Sequence, residues 1–217
     1  MTVGAGNNLS AASISPAMPF NSKAEFERLL RLRNEYPKTA DAIDAQIRQQ
    51  FLQTHAILVL DMAGFSRLTI RYSIIHFLAM VQRLGSIAIP LIEQYLGHVV
   101  KREADNIFAV FPTVSQAIDS AIQIQTRLTA VNADLPDAQD LHVCIGIGYG
   151  EILIVGDSEL YGNEMNLACK LGEDLARSGE ILLTEAAHGQ VAQETRSWET
   201  LTFSISGLDL TTHNLHY

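Results

Sequence analysis

Apolar residues recur along this chain with one spacing before residue 55 and with another after it. In the first stretch they repeat every three or four positions, which predicts two short amphipathic helices. The first helix is expected to end near Pro37, and Thr39 stands where it could cap the second. The apolar positions are Phe26, Leu29, Leu30 and Leu32 in the first helix and Ile43, Ile47 and Phe51 in the second.

From residue 55 onward, apolar runs of strand length alternate with longer stretches of helical spacing. The segment HVVKREADNIFAVF predicts two strands around a turn, and LHVCIGIGYGEILIVG predicts a strand pair with a bend at its glycines. The other predicted elements are a strand at 55–61, helices at about 66–95, 113–132 and 163–177, a strand at 180–184, a short helix at 185–192 and two terminal strands. This βαββαβ order with extensions predicts a ferredoxin-like α/β (α+β) sandwich.

These patterns divide the chain into three parts. Residues 1–22 are small and polar with few periodic apolar positions, which is typical of a disordered tail. Residues 23–54 form the predicted helical extension, and residues 55–217 form the α/β domain. The sequence leaves open whether the extension packs on the domain or pairs with a second chain.

Composition and charge narrow the class of protein. The 217 residues are 47% hydrophobic, as expected of a chain with a packed core, and the formal net charge of −9 argues against a nucleic-acid partner. No uninterrupted apolar run approaches the roughly 18 residues of a membrane span, and no export signal is evident. The two cysteines, Cys144 and Cys169, lack metal-type spacing, which favours a reducing, cytoplasmic setting.

Two aspartates stand beside apolar runs of strand length, 44 positions apart. Asp61 ends the apolar run of HAILVLDMAGFS, and Asp105 lies inside VVKREADNIFAVF. Two carboxylates brought together provide hard oxygen ligands of the kind that Mg²⁺ and Mn²⁺ prefer, and two such ions can act together on a phosphate. Either aspartate taken alone could equally be a turn residue, because aspartate is a common turn former.

Two glycine-containing segments follow. GIGYG is a weak match to a dinucleotide-binding loop, because a strand-like EILIVG follows it where such a loop requires a helix. In ELYGNEMNLACKLGEDLA, the glycine precedes a predicted helix that carries Asn166 and Lys170 one turn apart. An amide and a cation in this arrangement can reach one ligand, although an ordinary solvated helix face has the same appearance.

Together, four segments in this order resemble the catalytic domain of the class III nucleotidyl cyclases, over roughly residues 52–210. DMAGFS is similar to the first metal-aspartate motif, and KREADNIFAVF to the motif K-x-x-G-D-x-x-x-A-x-F. GIGYGEILIVG is similar to the G-I-x-x-G hairpin, and LYGNEMNLACKL to Y-G-x-x-V-N-x-A-x-R-L.

The resemblance implies an activity and a site. It implies that Asp61, Asp105 and the backbone carbonyl of Met62 bind two Mg²⁺ or Mn²⁺ ions, and that ATP is converted into cyclic AMP and pyrophosphate. Lys101 matches the base-selecting lysine of adenylate cyclases. Glu159 falls where adenylate cyclases often carry aspartate or threonine, so its carboxylate could accept a hydrogen bond from the adenine amine. Asn166 matches the ribose-orienting asparagine.

The chain departs from the family pattern at three positions. Lys170 stands in place of the arginine that contacts the transition state, and a lysine offers one point charge where arginine offers a planar fork. Ser206 stands where many members have a lysine, and Ala104 replaces the glycine before the second aspartate.

The resemblance also implies a homodimer, because the metal aspartates of one subunit act with the base-selecting and transition-state residues of the other. The N-terminal helices are then a possible docking point for a regulatory partner. Two alternatives remain: a catalytically weak or inactive module that binds nucleotide or regulates a partner, and a cyclase for a pyrimidine or guanine nucleotide.

Overall fold

The computed structural model describes residues 21–64, 73–156, 158–193, 195–205 and 208–217. The predicted disordered tail lies outside the described residues except for its last two positions. The prediction for Ser206 also lies outside them, as does the beginning of the helix predicted at about 66–95.

The N-terminal extension forms the two predicted helices, α1 (Lys23–Glu35) and α2 (Ala40–Phe51), joined by a 3₁₀ turn at Pro37–Thr39. Ser22 caps α1 by accepting a hydrogen bond from the backbone N–H of Glu25 at 3.2 Å. Thr39 stands at the cap position of α2, but its hydroxyl donates to the carbonyl of Tyr36 instead, at 3.0 Å.

The α/β domain is built on a mixed sheet. Among the described residues the sheet has eight strands, in the order β2-β3-β1-β4-β6-β8-β7, with the short β5 paired to β4. The elements after α2 are β1 (Leu52–Met62), α3 (Ile74–Gln94), β2 (His98–Glu103), β3 (Asn106–Phe111), α4 (Val114–Asn132), β4 (Val143–Val155), β5 (Glu159–Tyr161), α5 (Asn163–Cys169), a π-helical turn (Lys170–Leu175), β6 (Ile181–Thr184), α6 (Glu185–Val191), β7 (Ser197–Ile205) and β8 (Leu208–His216). The predicted mixed α/β architecture is confirmed.

Helices cover both faces of the sheet, because strands such as β1 carry apolar side chains on both faces. In β1, the residues from Ala56 to Leu60 are completely buried, with alternate side chains in different clusters. Leu58 and Leu60 pack with α3, α4 and α6, whereas Ile57 and Val59 pack with α5. A strand that is apolar on both faces belongs in the middle of a covered sheet, so β1 holds Asp61 at a rigid position.

The prediction of a bent strand pair at LHVCIGIGYGEILIVG is wrong, because β4 runs unbroken from Val143 to Val155. Its glycines alternate along one face of the sheet. A Cβ atom at Gly146 would overlap the carbonyl oxygen of Ala168, and one at Gly148 would lie 2.7 Å from that of Glu164. The glycines therefore let α5 approach the backbone of β4 closely.

The prediction of one helix at 163–177 is also wrong in its second half. The α-helix ends at Cys169, and the π-helical turn continues to Leu175. Gly172 in this turn lies against β1, where a Cβ atom would be 2.8 Å from the carbonyl oxygen of Val59. Single π turns are frequent at functional sites.

The helix α3 is long and apolar. By length and composition it could cross a membrane, but core helices of soluble proteins pass the same test. One face packs on the sheet through Phe77, Met80 and Leu84, which are at most 3% exposed. Its first turn leaves Ile74 and Ile75 exposed.

The extension packs on the domain of its own chain, which answers a question that the sequence left open. Leu29, Ile47 and Phe51 form a buried cluster with Val155, and Leu153 lies against it. Most of the apolar stripe of each helix is therefore covered within one chain, at the end of β4, whereas Leu30 is 38% exposed.

The turn between β2 and β3 contains a strained residue. Glu103 pairs with Asn106, which leaves Ala104 and Asp105 as a two-residue turn, and Ala104 has φ +50°. Glycine is favoured at the first position of such a turn, because other residues pay about 1 kcal/mol in the left-handed region.

We expect Ala104→Gly to stabilise the fold by about 0.5 kcal/mol, since the relief of strain exceeds the added freedom of the unfolded chain. Ala133→Gly is the matched control, because Ala133 is exposed at φ −60° and its replacement should destabilise by about 0.5–1 kcal/mol. Thermal melts of both variants would check this, and a loss of stability in both would contradict it.

Candidate functional site

The described site begins with Asp61 at the end of β1. The register places Leu60 opposite Ile107 of β3, which brings Asp61 to the same end of the sheet as the turn that carries Asp105. Burial, followed by the negative charge of Asp105 and then that of Glu173, raises the pKa of Asp61 to about 7, although a hydrogen bond from the Met62 backbone opposes the shift. A cation bound beside Asp61 would therefore stabilise the ionised form of its carboxyl group.

The carboxyl group of Asp105 is also buried and incompletely hydrogen-bonded. It is only 9% exposed, and its Oδ2 atom is buried without a hydrogen-bond partner among the described residues. Burial raises its pKa, and a hydrogen bond from its own backbone N–H opposes this shift. A buried carboxylate oxygen that lacks a donor is costly unless a cation binds it.

The pair fits divalent cations by its chemistry. Mg²⁺ is bound through one or two carboxylates together with substrate phosphates, and this pair can supply that number. The side chain of Met62 is 1% exposed in the core, so this residue can contribute to an ion only through its backbone. Among the described residues no three His, Cys, Asp or Glu side chains form a ready-made metal site.

A second group of predicted residues shares a cavity of about 240 Å³. Lys101, Glu159 and Asn166 all line it, together with Glu103, Phe108, Leu160, Met165, Cys169 and Glu173. The Nζ atom of Lys101 lies 2.7 Å from Glu103 and 3.8 Å from Oε2 of Glu159. The hydrogen bond to Glu103 is the main reason that the pKa of Lys101 is raised.

Within one chain the predicted site residues thus form two groups, the metal aspartates and the cavity residues. Asp61 and Asp105 do not line the cavity that holds Lys101, Glu159 and Asn166. The two groups approach each other near Glu173, which lines that cavity and also accepts a hydrogen bond from Asn106 at 3.1 Å.

Lys170 begins the π-helical turn and does not line the cavity either. Its Nζ atom lies 2.6 Å from Oδ2 of Asp174, one turn further along. Both side chains are more than one third exposed, so the ion pair is weak. The ammonium of Lys170 is thus held loosely at the surface of the site.

Glu164 is a functional candidate that the sequence reasoning missed. Its Oε2 atom accepts hydrogen bonds from the Thr184 hydroxyl at 2.7 Å and from the Tyr149 N–H at 3.2 Å. These bonds fasten the first turn of α5 to β4 and β6, and so position Asn166 half a turn later. No spacing in the sequence indicates this role, because all three residues are distant in the chain.

The two thiols and a stacked pair of histidines have no place among the predicted site residues. Burial is the main cause that raises the pKa of each thiol, Cys144 and Cys169, to about 11, so neither is a reactive thiolate at neutral pH. His213 pairs with Glu185 at 2.9 Å and stacks on His188 with ring centroids 3.7 Å apart.

No protein-family model matches the chain. Over 136 residues, or 63% of its length, the chain is 31% identical to the protein named "Putative adenylate cyclase 3" of Rhizobium meliloti strain 1021. Over 136 residues it is also 26% identical to the serine/threonine-protein kinase pkn2 of Myxococcus xanthus. The matches span 23% and 16% of these relatives, so the chain corresponds to less than a quarter of either.

Solved structures with a similar fold include several cyclases. An adenylate/guanylate cyclase/hydrolase from Silicibacter pomeroyi is 25% identical with a TM-score of 0.65, covering 76% of this chain and 96% of that one. The adenylyl cyclase CyaB from P. aeruginosa has 16% identity, a TM-score of 0.65 and the same coverage. The catalytic core of a rhodopsin-guanylyl cyclase with converted specificity, in complex with ATPαS, has 15% identity and a TM-score of 0.65, covering 76% of this chain and 98% of that one.

Proposed function

We propose that this chain, which has the fold of the class III nucleotidyl cyclase catalytic domain, is an adenylate cyclase that converts ATP into cyclic AMP and pyrophosphate. The observation that carries the proposal is the pair Asp61 and Asp105, with a buried carboxylate oxygen that lacks a partner among the described residues. Such a pair at the end of a rigid strand is the element that binds cations for phosphate chemistry.

Metal ions would be held by Asp61, Asp105 and the backbone carbonyl of Met62. Two Mg²⁺ or Mn²⁺ ions bound there would acidify the ribose 3′-hydroxyl and neutralise charge on the triphosphate. The 3′-hydroxyl gives its proton to a water molecule and its oxygen attacks the α-phosphorus in line, while the bond from that phosphorus to the bridging oxygen breaks to release pyrophosphate.

The cavity residues recognise the nucleoside. Lys101 donates a hydrogen bond to adenine N1, and Glu159 accepts one from the exocyclic amine. Asn166 orients the ribose through its amide. The ammonium of Lys170 stabilises negative charge on the α-phosphate oxygens in the transition state, as a point charge without the fork of arginine.

A homodimer completes the site in this proposal. Within one chain the cavity residues and the metal aspartates form separate groups, so a second copy can bring its aspartates to the cavity of the first. Two equivalent sites then arise by symmetry. The predicted cytoplasmic location remains part of the proposal.

The test is to incubate the purified protein with Mn²⁺ and each of the four nucleoside triphosphates, and to identify the products by mass spectrometry. We expect cyclic AMP and pyrophosphate from ATP in equal amounts. Absence of a cyclic product from every nucleotide, at concentrations where the protein is dimeric, would contradict the enzymatic proposal. A cyclic product from another base would keep the reaction and change the substrate.

A nucleotide-binding regulatory module is the second candidate. The observation that favours it is that the cation assigned to the transition state is Lys170, which lies 2.6 Å from Asp174 and offers no planar fork for phosphate oxygens. If this candidate is correct, the unmodified chain binds ATP without turnover, and Lys170→Arg gains activity. Turnover by the unmodified chain would exclude it.

A further inference from the structure

The N-terminal extension contacts the segment that carries Glu159. The Gly156 N–H, just before β5, donates to the carbonyl of Asn21 at 2.7 Å. The ring of Phe26 stacks on that of Tyr161 with centroids 5.9 Å apart and planes 15° apart. Two contacts therefore fix the first turn of α1 along β5, on either side of Lys23.

Lys23 reaches the carboxylate of Glu159 from this position. Its Nζ atom lies 3.5 Å from Oε1 of Glu159, whereas Lys101 lies 3.8 Å from Oε2. Each oxygen of the carboxylate thus faces a different lysine. Glu159 is 25% exposed and Lys23 is 59% exposed, so the carboxylate is partly enclosed and the outer lysine remains hydrated.

We propose that Lys23 is a positioning residue for nucleobase recognition, and this inference rests on the proposed function. Lys23 attracts Oε1 away from the cavity, which leaves Oε2 directed toward Lys101 and the edge of the base. The extension is then part of the specificity machinery, although it lies outside the α/β domain and none of its residues lines the cavity.

The physical reason is the rotational freedom of a glutamate carboxylate. The terminal torsion of glutamate is broad and roughly two-fold, so one cation alone does not fix the plane of the carboxylate. Without Lys23, both oxygens of Glu159 are free to turn toward Lys101, where they compete with adenine N1 for the donors of the ammonium and are lost as acceptors for the adenine amine. Adenine presents an amine at this edge and guanine presents a carbonyl oxygen, so loss of orientation weakens discrimination between them.

The experiment compares Lys23→Met with Lys38→Met in the whole 217-residue chain. Lys38 is an exposed lysine of the same extension with no ion pair to any residue that the structure describes, so both variants lose the same charge. KM and kcat for ATP and GTP are measured, together with the Kd of α,β-methylene-ATP, an analogue with a blocked leaving group. Thermal melts accompany both variants.

We expect Lys23→Met to raise the KM and the Kd for the adenine nucleotide by about 1.5- to 5-fold, the range for an exposed ion pair. The preference for ATP over GTP falls by a similar factor, and kcat stays unchanged. Lys23→Arg restores the parent values, and Lys38→Met has no effect.

The outcomes separate this inference from the function on which it rests. If the parent protein neither binds the analogue nor turns over ATP, the proposed function and this inference are both overturned. If the parent is active and Lys23→Met behaves like Lys38→Met, only this inference is overturned. A fall in kcat together with the melting temperature would also overturn it, because Lys23 would then have a merely structural role.

Discussion

Replacing Asp105 by asparagine should lower kcat by about 100- to 1000-fold at saturating Mn²⁺–ATP, because the buried anionic oxygen that attracts the cation is lost. The measurement is the initial rate of cyclic AMP formation. Asp134→Asn is the matched control, since it removes the same charge from an exposed position after α4 and should leave the rate unchanged. Comparable activity of Asp105→Asn and the parent would contradict the metal assignment.

The same substitution should stabilise the protein in the absence of metal. Asp61 has a pKa of about 7 in the folded state against 3.8 for the unfolded value. Its contribution to stability is therefore fully present below pH 3.8 and is lost as the pH rises through 7. Asp105→Asn removes a repelling charge, so the melting temperature of the metal-free variant should fall less between pH 5 and pH 8.

Metal should offset the repulsion between the two carboxylates and stabilise the parent protein. At pH 8, Mn²⁺ at about 100 times its Kd stabilises a binding protein by roughly 2.7 kcal/mol, which corresponds to a rise in Tm of about 5–10 °C for a chain of this size. Asp105→Asn should lose most of that rise. An equal rise in both proteins would place the metal elsewhere.

Replacing Lys170 by methionine should lower kcat by about 100- to 1000-fold with little change in KM, because this cation acts on charge that develops in the transition state. Lys170→Arg should raise kcat by roughly tenfold, since a guanidinium can bond two phosphate oxygens at once. Rates at saturating ATP check both, with Lys38→Met as the control for charge. An unchanged kcat in Lys170→Met would remove this residue from the mechanism.

The sequence predicted the central part of the fold well, because the signal there is strong and local. The apolar run before Asp61 and the helical spacing after Thr113 correspond to β1 and α4. The bend predicted at the glycines of β4 was wrong for a physical reason. A glycine permits both a bend and a close approach, and only the helix α5, packed against Gly146 and Gly148, decides between them.

The π-helical turn could not be predicted either. Apolar spacing in the segment after Asn163 is compatible with one continuous helix, and the widening depends on how Gly172 lies against Val59. The helix therefore changes its hydrogen-bond pattern at Lys170, which is the residue on which turnover depends in this proposal.

The resemblance to the cyclases predicted the individual site residues, and the structure shows which side chains surround each of them. Lys101, Glu159 and Asn166 line one cavity, although the substrate-binding roles of the first two and the catalytic role of Asn166 stay predictions. Glu164 and Lys23 could not be found from sequence, because each bonds to residues that only the folded chain brings near.

Mixing two inactive variants tests the central claim, that one copy supplies metal aspartates to the nucleoside cavity of another. Asp105→Asn and Asn166→Ala each inactivate both sites of a homodimer. Half of a random 1:1 mixture consists of heterodimers, and each heterodimer holds one intact site, so the mixture should regain about a quarter of the parent rate of cyclic AMP formation. A mixture no more active than either variant alone, under conditions where subunits exchange, would contradict the account.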